Sequence, residues 1–209
     1  MKLIVGFGNP GDRHVNNRQN IGFKVIDIIA NNANIDIRIK KKKSLIGRGK
    51  IGDNEIVLLK PQTFVNLIGE SVLYVASFLR IKIRDVICVF EDTSLPLGKI
   101  RVDYAKTEIT NDGIESISKG IKTGSKFPRV IIGVGKPEDG EELASYLLKD
   151  FTFEENLVVI DVLNKTERVI LDLLKMPIES VQDKYNPAGT TIREKKREIV
   201  IRKIPTKKS

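Results

Sequence analysis

The single histidine of this 209-residue chain, His14, opens the stretch "HVNNRQNIGF", and five positions later Gln19 stands between Arg18 and Asn20. An imidazole can take up a proton near neutral pH, whereas a carboxamide only gives and receives hydrogen bonds. The stretch follows "KLIVGFGNPG", an apolar run closed by a glycine turn, a setting that often faces a phosphate or a reactive group. Other polar residues follow other apolar runs: Asn9 after "LIVGFG", Asn66 after "VLLKPQTFV", and Glu91 with Asp92 after "VICVF". In open α/β sheets, sites form at the carboxyl ends of strands. A lone asparagine is more simply a cap or a turn residue. Four polar groups at corresponding strand ends, together with Arg18, Gln19 and Asn20, read better as a site rich in amides with one carboxylate pair.

The elements that must position these groups alternate along the chain. "KLIVGF" reads as a buried strand, and about Asn20 to Asn31 as a helix with Phe23, Ile26, Ile29 and Ala30 near helical spacing. "IDIRI" alternates like a half-exposed strand, and "EIVLLKP" is a buried strand stopped by Pro61. A helix is expected over Asn66 to Leu79. After it come the strands "DVICVFED" and "KIRVDY", an irregular stretch to Gly113, a helix from about Ile114 to Gly120 and the strand "RVIIGVG". Residues 154–176 form a long amphipathic helix ended at Met176-Pro177. Strands alternating with helices imply an α/β sheet with parallel and mixed strands. The expected boundary lies near Asn186-Pro187, dividing residues 1–186 from a tail of residues 187–209.

Bulk properties narrow the classes. A hydrophobic fraction of 41% with 30% charged residues is that of a soluble globular protein. No apolar run reaches the roughly 18–20 residues of a bilayer span, so no membrane partner and a cytoplasmic location are expected. The single cysteine, Cys88, excludes an intramolecular disulfide and a multi-cysteine metal site, and within "VICVF" it reads as a buried strand thiol. Of the net charge of +9, the tail carries +6, from eight Lys/Arg and two Glu, leaving +3 for the first 186 residues. A second basic cluster is "RIKKKKS", Arg38 to Ser44. Such runs are either solvated faces or contacts to a polyanion such as RNA. "GFGNPG" also satisfies the dinucleotide-binding pattern, but "DRHVNNRQN" offers no apolar helix face until Ile21, and Asp36 falls inside a strand rather than at its end. A dinucleotide-binding protein is therefore the second alternative.

Taken together, "KLIVGFGNPG", "NNRQNIGF", "LLKPQTFVNLIGES", "VFEDTSLPLGKIRV" and "FPRVIIGVGKP" resemble, in order and spacing, the bacterial-type peptidyl-tRNA hydrolases over roughly residues 1–185. The resemblance implies a single α/β domain with a twisted, mixed and mostly parallel sheet flanked by helices. It also implies a monomer that needs neither metal nor cofactor. The substrate would be peptidyl-tRNA, whose ester to the tRNA 3′ end is cleaved. Asn9 and Asn66 would hold the substrate end and the reacting group, and Asp92 would orient the base.

The resemblance breaks where the base should be. The family motif T-R-H-N-x-G-F reads N-R-Q-N-I-G-F here, with Gln19 in place of the catalytic histidine. The family's G-G-H-N-G loop is replaced by "ITNDG", with Asn111 and Asp112 at the His and Asn positions, and the second arginine of R-x-R is Ile131. General-base catalysis typically contributes about 10²–10⁴ in rate, or roughly 3–5 kcal/mol of barrier. The expectation is a protein that binds tRNA or another RNA and hydrolyses the ester weakly or not at all. The alternative is an active hydrolase using Asp92, His14 or a water positioned by Gln19. Substrate contacts are expected from Asn9, Asn66, Asn111 and His14, the last solvated or stacked on RNA. RNA contacts are expected from Lys99, Arg101, Arg129, Lys195, Lys196 and Arg197.

Overall fold

A computed structural model of the chain describes residues 1–104, 111–122 and 125–186. The expected tail, with Lys195, Lys196 and Arg197, lies outside the described residues. Seven strands form one sheet: β1 (Lys2–Gly6), β2 (Ile39–Lys40), β3 (Ser44–Ile51), β4 (Asn54–Pro61), β5 (Val86–Asp92), β6 (Ile100–Asp103) and β7 (Arg129–Gly133). Their spatial order is β2-β3-β4-β1-β5-β7-β6. The helices are α1 (Ile21–Asn32), α2 (Ile68–Phe78), α3 (Asp112–Ser118), α4 (Leu143–Leu147), α5 (Phe153–Lys175) and α6 (Ile178–Tyr185).

The order follows from the sequence. β1 and β5 are uninterrupted apolar runs, and a run without polar alternation must be covered on both faces. Along β1, Ile4 joins a core with α1, α5 and α6, while Leu3 and Val5 join a second core with α2 and α3. The result is a three-layer α/β domain. Parallel pairing is confined to the centre, in β4–β1, β1–β5 and β5–β7, and the pairs β2–β3, β3–β4 and β6–β7 at the two edges are antiparallel. The sheet is therefore evenly mixed rather than mostly parallel.

Two elements differ from the sequence reading. The alternating "IDIRI" contributes only Ile39 to the two-residue β2, and the strand that pairs along β4 is the unforeseen β3, "SLIGRGKI". Glycines at 47 and 49 lower the apparent strand propensity, yet both sit under Ile35, whose side chain occupies the space a Cβ would need. Pro177, expected only to end α5, also caps the short helix α6.

The first two glycines of the turn serve packing, a Cβ on Gly6 meeting the Gly22 carbonyl and one on Gly8 the Phe23 ring. Gly22, in the first turn of α1, lies against the Phe7 backbone and the Val89 carbonyl, so a Cβ there would collide with both strand ends. Phe23 N–H donates to the Phe7 carbonyl (3.2 Å) and Phe7 N–H to the Val89 carbonyl (2.9 Å). Between Gly11 and α1 come two short 3-10 turns, Asp12–His14 and Arg18–Asn20. No helix starts within the glycine motif, so the cradle that a dinucleotide pyrophosphate needs is missing from its place.

Candidate active site

The second 3-10 turn is bolted down on both sides. Arg18, 5% exposed, lies 4.5 Å from the Tyr146 ring centroid and 4.9 Å from that of Phe151. Its Nη1 donates to the Asp150 carbonyl at 2.6 Å, and its Nη2 reaches both oxygens of Glu155 at 2.7 Å. The same Glu155 carboxylate closes the capping box of α5 by accepting from Thr152 N–H at 2.8 Å. One carboxylate thus fixes the start of α5 and holds the turn that carries Gln19. Arg18, read from sequence as part of the reactive set, is an anchor.

On the other side the amides interlock. Asn9 N–H donates to Asn20 Oδ1 at 2.9 Å, and Asn20 Nδ2 donates back to the Asn9 carbonyl at 2.9 Å. Asn9 Oδ1 accepts from Val65 N–H at 3.2 Å, and Asn9 Nδ2 donates to Gln19 Oε1 at 2.8 Å. Asn9 therefore ties the end of β1 to the Gln19 turn and to the 3-10 turn Val65–Leu67. With its acceptor taken up, the Gln19 amide has its NH2 left to offer. Asn9 is the hub, and Asn20, read from sequence as part of the same site, holds it through the Asn9 backbone.

Asn9, Gln19, Arg13 and His14 share one crevice of about 550 Å³ with Phe64, Asp112 and the α4 side chains Leu143 and Leu147. His14 is 8% exposed. Arg13 Nε donates to its Nε2 at 3.0 Å, and the Asn17 amide lies 3.3 Å from its Nδ1. An accepting Nε2 leaves the ring proton on Nδ1, and the buried Oδ1 of Asn17 lacks a partner. Turned end for end, that amide would receive the Nδ1 proton and satisfy its own oxygen. The ring then carries its lone pair on Nε2, where Arg13 engages it, and shares the crevice lining with Gln19.

The remaining expected residues are placed apart. Asn66 is exposed in the turn held by Asn9 and lies outside the crevice lining. Asp92 is occupied: Oδ1 accepts from Ser94 N–H at 2.7 Å, and Oδ2 pairs with Arg101 at 3.3 Å. Asn111 caps α3, its Oδ1 accepting from the N–H groups of Gly113 (3.0 Å) and Ile114 (3.3 Å). Its Nδ2 donates to Glu91 Oε1 at 3.2 Å. Burial, reinforced by Asp92 and Asp112, pushes the Glu91 carboxyl up to about 8 against hydrogen bonds that favour its ionised form. Its Oε2 has no partner. Lys99 is exposed, whereas Arg129 is 6% exposed beside the Phe127 ring, buried where a phosphate does not reach. Ile131 is fully buried, and so is Cys88, whose thiol burial holds in its protonated form. Among the described residues no cluster of His, Cys, Asp or Glu could hold a metal ion, and no helix is long and apolar enough to cross a membrane.

Comparison with known proteins adds an independent line. Residues 3–196 match the sequence profile of the family described as peptidyl-tRNA hydrolase. Over 186 residues, 89% of this chain, the sequence is 40% identical to the peptidyl-tRNA hydrolase of Clostridium botulinum (strain Alaska E43 / Type E3), covering 96% of that protein. It is 38% identical to that of Alkaliphilus oremlandii (strain OhILAs), covering 100% of it. The crystal structure of the Acinetobacter baumannii peptidyl-tRNA hydrolase superposes with a TM-score of 0.82 at 25% identity, covering 89% of this chain and 94% of that one.

Proposed function

The chain belongs to the peptidyl-tRNA hydrolase family, and on that footing we propose that it hydrolyses peptidyl-tRNA slowly, with His14 accepting the proton of the attacking water. The observation that carries this reading is the common crevice of His14, Gln19 and Asn9. Water adds to the ester carbonyl carbon as its proton passes to His14 Nε2. The Gln19 NH2, its partner oxygen held by Asn9, donates to the carbonyl oxygen as negative charge builds there. Collapse breaks the bond to the 3′ oxygen of the tRNA, which takes the proton back from His14. The exposed apolar rim of Phe64, Leu143 and Leu148 suits the acyl side chain or the terminal base. Asn66 and Lys99, both exposed, are free to meet the RNA end.

Turnover is slow for a stated reason. Arg13 must leave His14 Nε2 before a proton can arrive, and Asp92, bound to Arg101, orients nothing in the crevice. These same contacts favour a second reading, a tRNA binder without turnover. Single-turnover hydrolysis of a peptidyl-tRNA separates them. The expected result is a slow parent rate, a loss of about 10² or more in His14→Ala, and a gain of about 10² or more in Gln19→His. An inert parent with an active Gln19→His variant establishes the binder. A parent rate indifferent to His14→Ala but abolished by Asp92→Asn moves the proton to Asp92.

A further inference from the structure

The two long edges of the sheet handle positive charge differently. On the β6–β7 side, Arg101 is paired with Asp92, Arg129 is buried and Ile131 occupies a core position. On the β2–β3 side, Lys41, Lys42 and Lys43 join the strands after Lys40, with Lys42-Lys43 at the tip, and among the described residues the carboxylate bonded to the cluster is Glu70, 2.7 Å from Lys42. Lys42 and Lys43 both have positive φ, 43° and 52°, a conformation that asparagine and glycine adopt at least cost in a hairpin tip. Lysine is a poor choice for making this turn and a good one for placing charge at its tip.

Beside the hairpin, α2 shows two aromatic rings to solvent. Tyr74 is 38% and Phe78 57% exposed, and the rings stack with centroids 6.0 Å apart and planes within 7°. Lys41 Nζ sits 3.6 Å from the Phe78 centroid and Lys42 Nζ 5.8 Å from that of Tyr74. The hairpin is joined to the site. Gln62 N–H donates to the Lys43 carbonyl at 2.7 Å. Gln62 and Leu45 line both the concavity of about 380 Å³ floored by the four lysines and a groove of about 500 Å³ that runs to Asn9 and Asn20.

We infer that the Lys40–Lys43 hairpin and the Tyr74–Phe78 face form an RNA-docking surface, continuous with the groove that leads to Asn9. The occupant is an RNA strand, its phosphates on the lysines and an unpaired base on the aromatic pair. Exposed rings set among cations are the combination that single-stranded nucleic acid uses, because every base has a face to stack and every linkage a charge. An acidic protein would satisfy the lysines and leave the rings unexplained. This deepens the proposed function, since it rests on the substrate being an RNA ester, and it places part of that RNA on the edge opposite β6.

The test uses the full chain and a variant that relaxes the turn while removing the charge: Lys40→Ala, Lys41→Ala, Lys42→Asn and Lys43→Gly together. A second variant is Tyr74→Leu with Phe78→Leu. Binding of deacylated bulk tRNA and of a fluorescent oligouridylate is followed by anisotropy across a KCl series. Phosphate contacts by single strands contribute about 0.7 each to the slope of log K against log salt. The lysine variant should flatten that slope for the oligouridylate by about 3 and weaken it at least about tenfold near 100 mM salt. The aromatic variant should weaken binding and leave the slope unchanged. Unaltered affinity and slope in the lysine variant would overturn the inference, as would hairpin-dependent binding to phosphatidylglycerol vesicles with none to RNA. The parent is assayed in parallel on a small N-acylaminoacyl ester of adenosine. Hydrolysis of that ester with hairpin-independent RNA binding overturns the docking surface and leaves the hydrolase reading. Hairpin-dependent RNA binding with no ester hydrolysis does the reverse.

Discussion

Two polar groups at the strand ends are built on opposite terms. The wall is the Asn9–Gln19 edge of the crevice with Asn20 behind it, and the floor is the buried Glu91–Asn111 pair at the end of β5, outside the crevice lining. In the wall, Asn9 and Asn20 exchange backbone and side-chain hydrogen bonds, and Asn9 spends both ends of its amide on Gln19 and Val65. In the floor, Asn111 donates to one oxygen of the buried Glu91 carboxyl, and the other has no partner. A saturated network has a single low-energy arrangement, whereas an unsaturated buried carboxyl keeps a proton to satisfy itself. The wall therefore fixes geometry and the floor responds to pH.

Breaking the wall should have the larger effect. Asn20→Ala leaves the Asn9 N–H and carbonyl buried without their partners, and each orphaned group costs about 1–3 kcal/mol. The expected loss is about 3 kcal/mol in urea denaturation at pH 7, with hydrolysis reduced at least tenfold because Asn9, which holds Gln19, loses its anchor. A loss under about 1 kcal/mol would mean that water replaces the amide and that the wall is not a fixed frame.

The floor is read through pH. The Glu91 carboxyl is raised from 4.5 to about 8 in the folded chain, so the native state holds a proton that the unfolded state gives up. Its contribution to stability is fully present below pH 4.5 and is lost as pH rises towards about 8. Glu91→Gln keeps an acceptor for Asn111 and cannot ionise. Relative to the parent, the variant should match it below about pH 4.5 and exceed it by about 2 kcal/mol near pH 6 in parallel denaturation series. Parallel curves for the two proteins would show that Glu91 is ionised in the fold and that water reaches the floor.

This contrast between wall and floor was only half legible in the sequence. The apolar runs of β1, β4, β5 and β7 are local patterns, and each carries its own signal over a few residues. Polar positions at strand ends pointed to Asn9, Asn66, Glu91 and Asp92, with Arg18, Gln19 and Asn20, as one neighbourhood, of which the crevice lining takes in Asn9 and Gln19. What those side chains bond to is not local. Asn20 meets Asn9 across 11 positions, and Arg18 meets Glu155 across 137. Arg129 reads as a surface cation until the sheet places it between β5 and β6. β3 was hidden because Gly47 and Gly49, poor strand formers, are there to admit Ile35 from outside the strand.

The smallest expected effect sharpens the boundary between wall and floor, where Asp92 stands. Its pair with Arg101 is 3.3 Å long, with side chains 15% and 24% exposed, and a pair so close to solvent contributes about 0.2–1 kcal/mol. Arg101→Gln should therefore change stability by less than about 1 kcal/mol and, in the parent, change the hydrolysis rate little, since the Gln19 amide takes up no proton whose charge a freed carboxylate could balance. In a Gln19→His background the same substitution releases Asp92 towards an imidazole that needs an orienting partner, and the rate should rise further. The two substitutions would then be non-additive, and a double-mutant cycle on single-turnover rates measures the coupling. Strict additivity would place Asp92 with the floor, out of reach of position 19. Coupling would place it with the wall, held away from its neighbour by one arginine.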